Sequence, residues 1–177
     1  MRPGRTRLLV DAVAFAACKH RRQRRKDLEA SPYINHPIAL ARVLSVEAGL
    51  SDPVLLSAAV LHDTLEDTET TYEELKERFG AGVAAVVLEV TDDQTLPKKE
   101  RKRLQVAHAA RLSRRAKLVK LADKICNVRD VAASPPASWP LRRRREYFDW
   151  ARAVVKRIRG THRKLEGLFD EAYRRKP

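Results

Sequence analysis

The sequence predicts an all-α protein, and both its composition and its periodicity favour that fold class. Helix formers dominate, with 24 Ala and 20 Leu against 4 Ile, and 6 Gly leave few turns for a sheet-rich fold. Apolar residues recur at helical spacing along most of the chain. A chain of 177 residues can bury roughly two-thirds of its unfolded surface in one core. Because no internal repeat or linker interrupts it, we expect a single domain over residues 1–177.

The first three predicted helices each carry a local start or stop signal. Residues 8–20 form an amphipathic pattern, and a polar loop follows. Asn35-His36-Pro37 begins the second helix, because proline is tolerated in a first turn, and Gly49 ends it. Ser51-Asp52-Pro53 begins the third helix, which closes near Thr64.

Capping residues, glycine and proline separate the later helices. Thr70 or Thr71 caps a fourth helix, which Gly80 ends. Prolines at 135, 136 and 140 terminate the apolar stripe that precedes the last helix. The remaining predicted helices are residues 83–90, 98–110, 118–128 and 142–174, the last bent at Gly160.

The net charge of +14 is concentrated in three clusters. Residues 19–26, 98–103 and 142–145 hold six, five and four Lys or Arg, whereas residues 63–77 hold seven acids. Basic clusters around an acidic segment suit a polyanionic ligand and a cation held by carboxylates. Nucleic acid is not the favoured partner, because no recognition motif or zinc finger accompanies the basic runs.

Cysteine usage and the chain start predict a cytoplasmic protein without a membrane partner. Cys18 and Cys126 are too few for a disulfide framework or a four-thiolate zinc site, so reduced thiols are expected. Residues 2–17 resemble a signal peptide, but Asp11 interrupts the apolar run and a basic segment follows at once. No apolar stretch is long enough for a membrane helix. An Arg-rich organelle-targeting start is the alternative.

The most informative segment is the end of the third predicted helix. His62 and Asp63 stand together there, and both are common metal ligands. Glu66 and Asp67 follow one helical turn later, so all four side chains can share one face. This clustering predicts a site for a cation with acid–base groups beside it.

Asp123 is a second anomaly, because it is an acid inside the apolar stripe 118–128, with Asn127 one turn on. A buried carboxylate needs a metal or a basic partner. Imidazoles and carboxylates without a thiolate suit Mn²⁺, Fe²⁺, Co²⁺ or Mg²⁺ rather than structural zinc. His36, fixed at a helix start, is the best second histidine. We interpret the other histidines as ordinary polar residues: His20, His108 and His162.

These positions resemble a known family. His36, His62-Asp63 and Asp123 match the H…HD…D signature of the HD metal-dependent phosphohydrolases. Over nearly the whole chain, the sequence is similar to the small alarmone hydrolases, stand-alone relatives of the RelA/SpoT hydrolase domain. The segments that carry this similarity are RRKD at 24–27, PYINHP at 32–37, LHDTLEDT at 61–68, EVTD at 89–92 and KLVKLADK at 117–124.

The resemblance implies an HD-type helical bundle with a metal site between helices. It also implies hydrolysis of the 3′-pyrophosphate of guanosine tetra- or pentaphosphate (ppGpp or pppGpp), which degrades this stringent-response alarmone to GDP or GTP and pyrophosphate. One Mn²⁺ ion is the usual metal. The implied ligands are His36, His62, Asp63 and Asp123, with Glu66 and Asp67 as candidate catalytic acid–base groups. The implied contacts to the anionic guanine nucleotide are Arg25, Lys26, Asn127 and Tyr147, with Lys98 and Arg143 on its phosphates.

Some features keep other functions open. Leu65 stands where valine is common, Cys126 adjoins Asn127, and the arginine run 142–145 is heavier than expected. Removal of the 2′-phosphate of NADPH, or hydrolysis of another phosphorylated nucleotide, is the alternative within the class. A non-catalytic basic module that binds RNA or the ribosome is the alternative outside it. Oligomeric state is left open.

Overall fold

The structure, a computed structural model, describes residues 4–177 and is built from α-helices. Within those residues the backbone forms no β-strand, and an isolated antiparallel bridge joins Arg24 to Pro32. The predicted all-α class is confirmed. The helices are α1 (Arg5–Lys19), α2 (Asn35–Arg42), α3 (Pro53–Leu61), α4 (Thr64–Asp67), α5 (Tyr72–Phe79), α6 (Ala81–Val90), α7 (Lys98–His108), α8 (Arg114–Ala133), α9 (Leu141–Arg157) and α10 (Arg163–Tyr173).

Short polar side chains fix the starts of several helices. The Asp52 carboxylate accepts a hydrogen bond from the Val54 amide at 3.0 Å, with Pro53 in the first turn of α3. Thr71, one of the two predicted caps, accepts from the Glu74 amide at 3.1 Å and begins α5. Each cap satisfies an amide that the helix leaves unpaired.

The 20-residue helix α8 lies at the centre of the bundle, where it packs against α2, α3, α6, α9 and α10. Its predicted apolar stripe is fully buried at Leu121, Ile125 and Val128. Full burial of one such side chain contributes about 1.5–3 kcal/mol. Because this stripe also carries Asp123, the packing that forms the core places a carboxylate among its neighbouring helices.

The predicted end of the third helix needs correction, whereas the second helix ends just before Gly49 as predicted. The third helix stops at Leu61, and Thr64–Asp67 forms a separate short helix, α4. The second helix continues from Arg42 into a π-helix, Val43–Glu47, in which the Ala48 amide bonds to the Val43 carbonyl at 2.9 Å.

The predicted single helix over 142–174 is two helices, α9 and α10, rather than one bent rod. Gly160 adopts a φ of +85°, which ends any right-handed helix at that point. His162 then caps α10, where its Nδ1 accepts from the Leu165 amide at 3.3 Å. The interpretation of His162 as a satisfied polar residue therefore holds.

The chain start and membrane prediction can be compared only in part. Residues 1–3, where the alternative targeting segment would begin, lie outside the described residues. From residue 4 onward, no helix combines the length and apolar content needed to cross a membrane.

Candidate metal centre

Three elements bring the candidate ligands together. His36 lies in the first turn of α2, His62 directly follows α3, and Asp123 lies in α8. Each offers one ligand atom, and these atoms all lie within 4.8 Å of one another. Both histidines are buried and Asp123 is half-buried. The spacing is that of groups able to share one ion.

Asp63 adjoins this group. Its Oδ2 lies 2.8 Å from His62 Nε2 and accepts a hydrogen bond from the Tyr33 hydroxyl at 2.5 Å. Tyr33 was not among the predicted site residues, although it lies in the PYINHP segment. The structure thus brings all four predicted metal ligands to one place.

The His62 ring is set for coordination. Its Nδ1 lies 2.9 Å from the Ala59 carbonyl, and since a carbonyl only accepts, Nδ1 carries the hydrogen. Its buried Nε2, despite the nearby Asp63 oxygen, makes no hydrogen bond of acceptable geometry with any described residue. A backbone-anchored imidazole whose other nitrogen faces the remaining candidate ligands is the arrangement of a metal-binding histidine.

The local charges keep the carboxylates ionised. Burial alone would raise the pKa of Asp123, but the Lys124 ammonium at 2.8 Å and the His36 ring hold it well below its usual range. Burial opposes ionisation of Asp63 too, and the adjacent His62 outweighs it, so the Asp63 pKa is lowered. Two imidazoles and charged carboxylates without a thiolate fit a borderline or hard divalent cation.

Glu66 lies beside the metal group. It accepts hydrogen bonds from the Asp92 amide at 3.0 Å and from Gln94 Nε2 at 2.6 Å. Burial, with the nearby Asp92 and Asp63 charges, raises the pKa of Glu66 to about 7, although the Asp92 amide opposes the shift. A carboxyl with a pKa near neutrality can both take and return a proton.

Asp67 is held from the other side of the site. Its backbone carbonyl accepts from Gln23 Nε2 at 2.6 Å, and Gln23 Oε1 lies 2.6 Å from Nδ1 of buried His20. Desolvation, followed by the Asp63 charge, raises the Asp67 pKa. The contact from His20 to Gln23 agrees with its interpretation as a satisfied polar residue.

Two adjoining cavities open from this group. The metal cavity, of about 260 Å³, contains all six predicted metal and catalytic side chains together with Lys98. The larger cavity, of about 830 Å³, is lined by Lys26 and Trp139. Arg25, Asn127 and Tyr147 line both cavities.

The predicted substrate-binding residues therefore line the cavities, except Arg143, which lines neither of them. Asn127 Nδ2 donates to Asp123 Oδ1 at 2.5 Å, and Arg25 Nη2 lies 2.6 Å from Asp130 Oδ2. Arg143 instead stacks on the Trp139 ring, 4.4 Å from its centroid. It thus reaches the cavity wall through an aromatic side chain.

The metal cavity is also lined by four cations that sequence reasoning missed, namely Arg101, Lys102, Lys120 and Lys124. Lys120 and Lys124 are buried within the apolar stripe of α8, so their signal was the same anomaly that singled out Asp123. Lys120 donates to the Val90 carbonyl at 2.8 Å. Lys102 had no distinguishing signal within the basic run 98–103.

The helical bundle and the His–His–Asp group define a class of all-α proteins with a candidate metal site between helices. Comparison with protein families identifies the family within this class. The family described as "HD domain" matches residues 12–149, and the chain belongs to this HD domain family.

Similar proteins extend over nearly the full chain. The chain is 55% identical to the guanosine-3′,5′-bis(diphosphate) 3′-pyrophosphohydrolase MESH1 of Xenopus tropicalis, covering 94% of this chain and 93% of that protein. Identity to the Homo sapiens protein of the same name is also 55%, covering 95% and 94%. A solved structure described as a metazoan ortholog of SpoT that hydrolyzes ppGpp superposes with a TM-score of 0.93, at 47% identity over 98% of this chain and 97% of that chain. The resemblance to the small alarmone hydrolases is confirmed.

Proposed function

We propose that the protein hydrolyses the 3′-pyrophosphate of ppGpp or pppGpp, releasing GDP or GTP and pyrophosphate. The observation that carries this proposal is the His36–His62–Asp123 group on the wall of a cavity that also holds acid–base carboxylates and lysines. The similar proteins described as ppGpp pyrophosphohydrolases support the same substrate. We further propose that residues 1–177 act as one HD domain, in the cytoplasm.

The proposed metal is one Mn²⁺ ion held by His36, His62, Asp63 and Asp123. The donor set fits such an ion, since it combines imidazole nitrogens with ionised carboxylates. When bound, a divalent ion supplies charge stabilisation at a phosphate oxygen and lowers the pKa of a coordinated water.

In this proposal, the carboxylates of Glu66 and Asp67 act on the water that attacks the substrate. A water oxygen forms a bond to the phosphorus attached to the 3′ oxygen, and the bond between that phosphorus and the 3′ oxygen breaks. Glu66, with a pKa of about 7, accepts the proton that the water loses and can return it to the departing oxygen. Asp67, fixed through Gln23, orients the water.

The remaining predicted residues bind the nucleotide. Arg25, Asn127 and Tyr147 line both cavities and therefore contact the substrate where its nucleoside meets the reacting phosphate. Lys26 contacts the nucleotide from the larger cavity. Lys98 attracts the phosphates directly, and Arg143 does so from its position on Trp139.

The test is a turnover assay on chelator-treated protein with ppGpp, pppGpp and NADPH as separate substrates. We expect pyrophosphate and GDP from ppGpp only after a divalent metal is added, with Mn²⁺ most effective. Asp123→Asn is the matched negative control, because it keeps the volume and removes the charge.

Other outcomes separate the alternatives. Phosphate release from NADPH without pyrophosphate release from ppGpp would assign the 2′-phosphatase activity. No turnover, together with metal-independent RNA binding that weakens steeply with salt, would contradict the hydrolase proposal and favour a basic binding module.

A further inference from the structure

Three helices meet at the Trp150 ring beside the metal cavity. The Lys102 ammonium of α7 lies 4.6 Å from the ring centroid, and the Lys124 ammonium of α8 lies 4.2 Å from it. Trp150 of α9 donates its Nε1 hydrogen to the Lys102 carbonyl at 3.0 Å. The ring therefore fixes the position of the Lys102 backbone as well as contacting its charge.

The charged groups on this wall differ in whether they are paired. Lys124 is 2.8 Å from Asp123, and Lys120 donates to a backbone carbonyl. Arg101 donates to Gln94 and lies 3.7 Å from Glu66. In contrast, neither Lys98 nor Lys102 has a carboxylate within ion-pair distance or an acceptor for its ammonium anywhere in residues 4–177.

Lys98 and Lys102 form a pair of neighbouring cations with no carboxylate of the described residues within ion-pair distance. They are one turn apart on α7, so their side chains share a face, and both line the metal cavity. Burial and the neighbouring cations Lys98, Lys124 and Arg143 lower the pKa of Lys102, and the Glu146 carboxylate, which lies beyond ion-pair distance, opposes this shift only in part. Neighbouring cations without a counter-charge are unfavourable, and an anion between them removes that cost.

The two cavities indicate which anion belongs there. The larger cavity and the metal cavity share lining residues, which mark the passage between them. A nucleoside placed in the larger cavity directs its reacting phosphate toward the metal group. Lys98 and Lys102 line only the metal cavity, where the part of the substrate beyond the reacting phosphorus must lie.

We propose that Lys102, held by Trp150 and acting with Lys98, binds the diphosphate group that is transferred from the 3′ oxygen to water, and hence inorganic pyrophosphate. This inference rests on the proposed function for the identity of the transferred diphosphate. The site itself should bind a diphosphate whether or not a nucleoside is attached to it. Two ammonium groups one turn apart can each bind oxygens of a different phosphorus atom.

The test is calorimetric titration of the Mn²⁺-loaded protein with inorganic pyrophosphate, corrected for pyrophosphate binding to free Mn²⁺. We expect Lys102→Met to weaken pyrophosphate binding about tenfold or more, as the loss of a charge-assisted hydrogen bond does. Lys102→Arg should retain most of the affinity. Lys99→Met is the matched control, since Lys99 is exposed on the same helix, and should bind as the unaltered protein does.

A parallel titration with GDP identifies the subsite. Lys102→Met should leave GDP affinity within about twofold of the unaltered protein, and the circular dichroism spectrum should not change. Equal pyrophosphate affinity in the Lys102→Met and Lys99→Met proteins would overturn the proposal, as would a loss confined to GDP. Weakened pyrophosphate binding in a protein that does not hydrolyse ppGpp would leave the diphosphate site standing and remove the proposed function.

Discussion

Glu66 is a carboxyl group whose pKa is raised to about 7 by its environment. It lies near the metal group but bonds to Asp92 and Gln94. We predict that Glu66→Gln keeps the metal and lowers kcat at least about a hundredfold, the usual scale of general acid–base catalysis. Steady-state kinetics with metal analysis of the same samples checks this. Glu69→Gln is the control, because Glu69 is an exposed neighbour outside both cavities.

If Glu66→Gln instead loses its metal in proportion to its activity, Glu66 is a ligand rather than an acid–base group. Unchanged kcat with full metal content would leave Glu66 without a role in proton transfer.

The raised pKa of Glu66 also predicts a dependence of stability on pH. In the folded protein this pKa is about 7, against an ordinary value of 4.5, so the folded state holds the proton more tightly than the unfolded state between these values. Its contribution to stability is therefore present below about pH 4.5 and is lost as pH rises through about 7. Denaturant titrations of metal-free protein should show the free energy of unfolding falling, relative to Glu66→Gln, across this range. Parallel curves for the two proteins would contradict the shift.

At the scale of elements, the junction between α9 and α10 depends on Gly160. An added Cβ meets no atom there, but the φ of +85° strains any other residue. We predict that Gly160→Ala lowers the free energy of unfolding by about 1–2 kcal/mol. Urea denaturation followed by circular dichroism measures it.

Gly167 provides the opposite control, because it lies inside α10 with open space around it. Gly167→Ala should raise stability by about 0.5–1 kcal/mol, since alanine is the better helix former. Equal effects at the two glycines would show that the positive φ of Gly160 is not what limits substitution there.

The helix boundaries show which local structure the sequence could predict. The caps at Asp52 and Thr71 were predictable because their hydrogen bonds span two or three residues. The break after Gly160 depends on Glu166, whose carboxylate accepts from the amides of Gly160 and His162. That contact needs the chain to turn first, and helical periodicity in the flanking sequence concealed it.

At the scale of the whole molecule, the charge clusters should act on substrate binding at a distance. We predict that Lys26→Met/Lys98→Met raises the KM for ppGpp, because each charge-assisted hydrogen bond contributes about 1.5–3 kcal/mol. Added salt should weaken the unaltered protein more than the double variant, since charges are screened beyond about 8 Å at physiological ionic strength. Kinetics at low and high salt measure both effects.

Arg174→Met/Arg175→Met removes the same charge near the chain end and serves as the control. Its KM should stay close to that of the unaltered protein. If both double variants are impaired alike, the positive charge serves solubility in general and the two lysines are not a phosphate site.

The composition of the site was predictable only where residue types were anomalous. Asp123 and the His62-Asp63 pair stood out as polar groups at the end of, or within, apolar helices. Tyr33 and Lys102 did not, because their importance comes from tertiary contacts with Asp63 and Trp150 that no spacing in the sequence encodes.

The candidate ligands come from positions 36, 62 and 123, so they join parts of the chain that are separate in the unfolded state. An ion bound there would be released on unfolding and would act as a reversible cross-link. Mass action then makes the melting temperature depend on free metal, with a gain of about 2.7 kcal/mol at a hundred times the dissociation constant. Chelating buffers would lower the melting temperature of the same molecule without altering a single covalent bond.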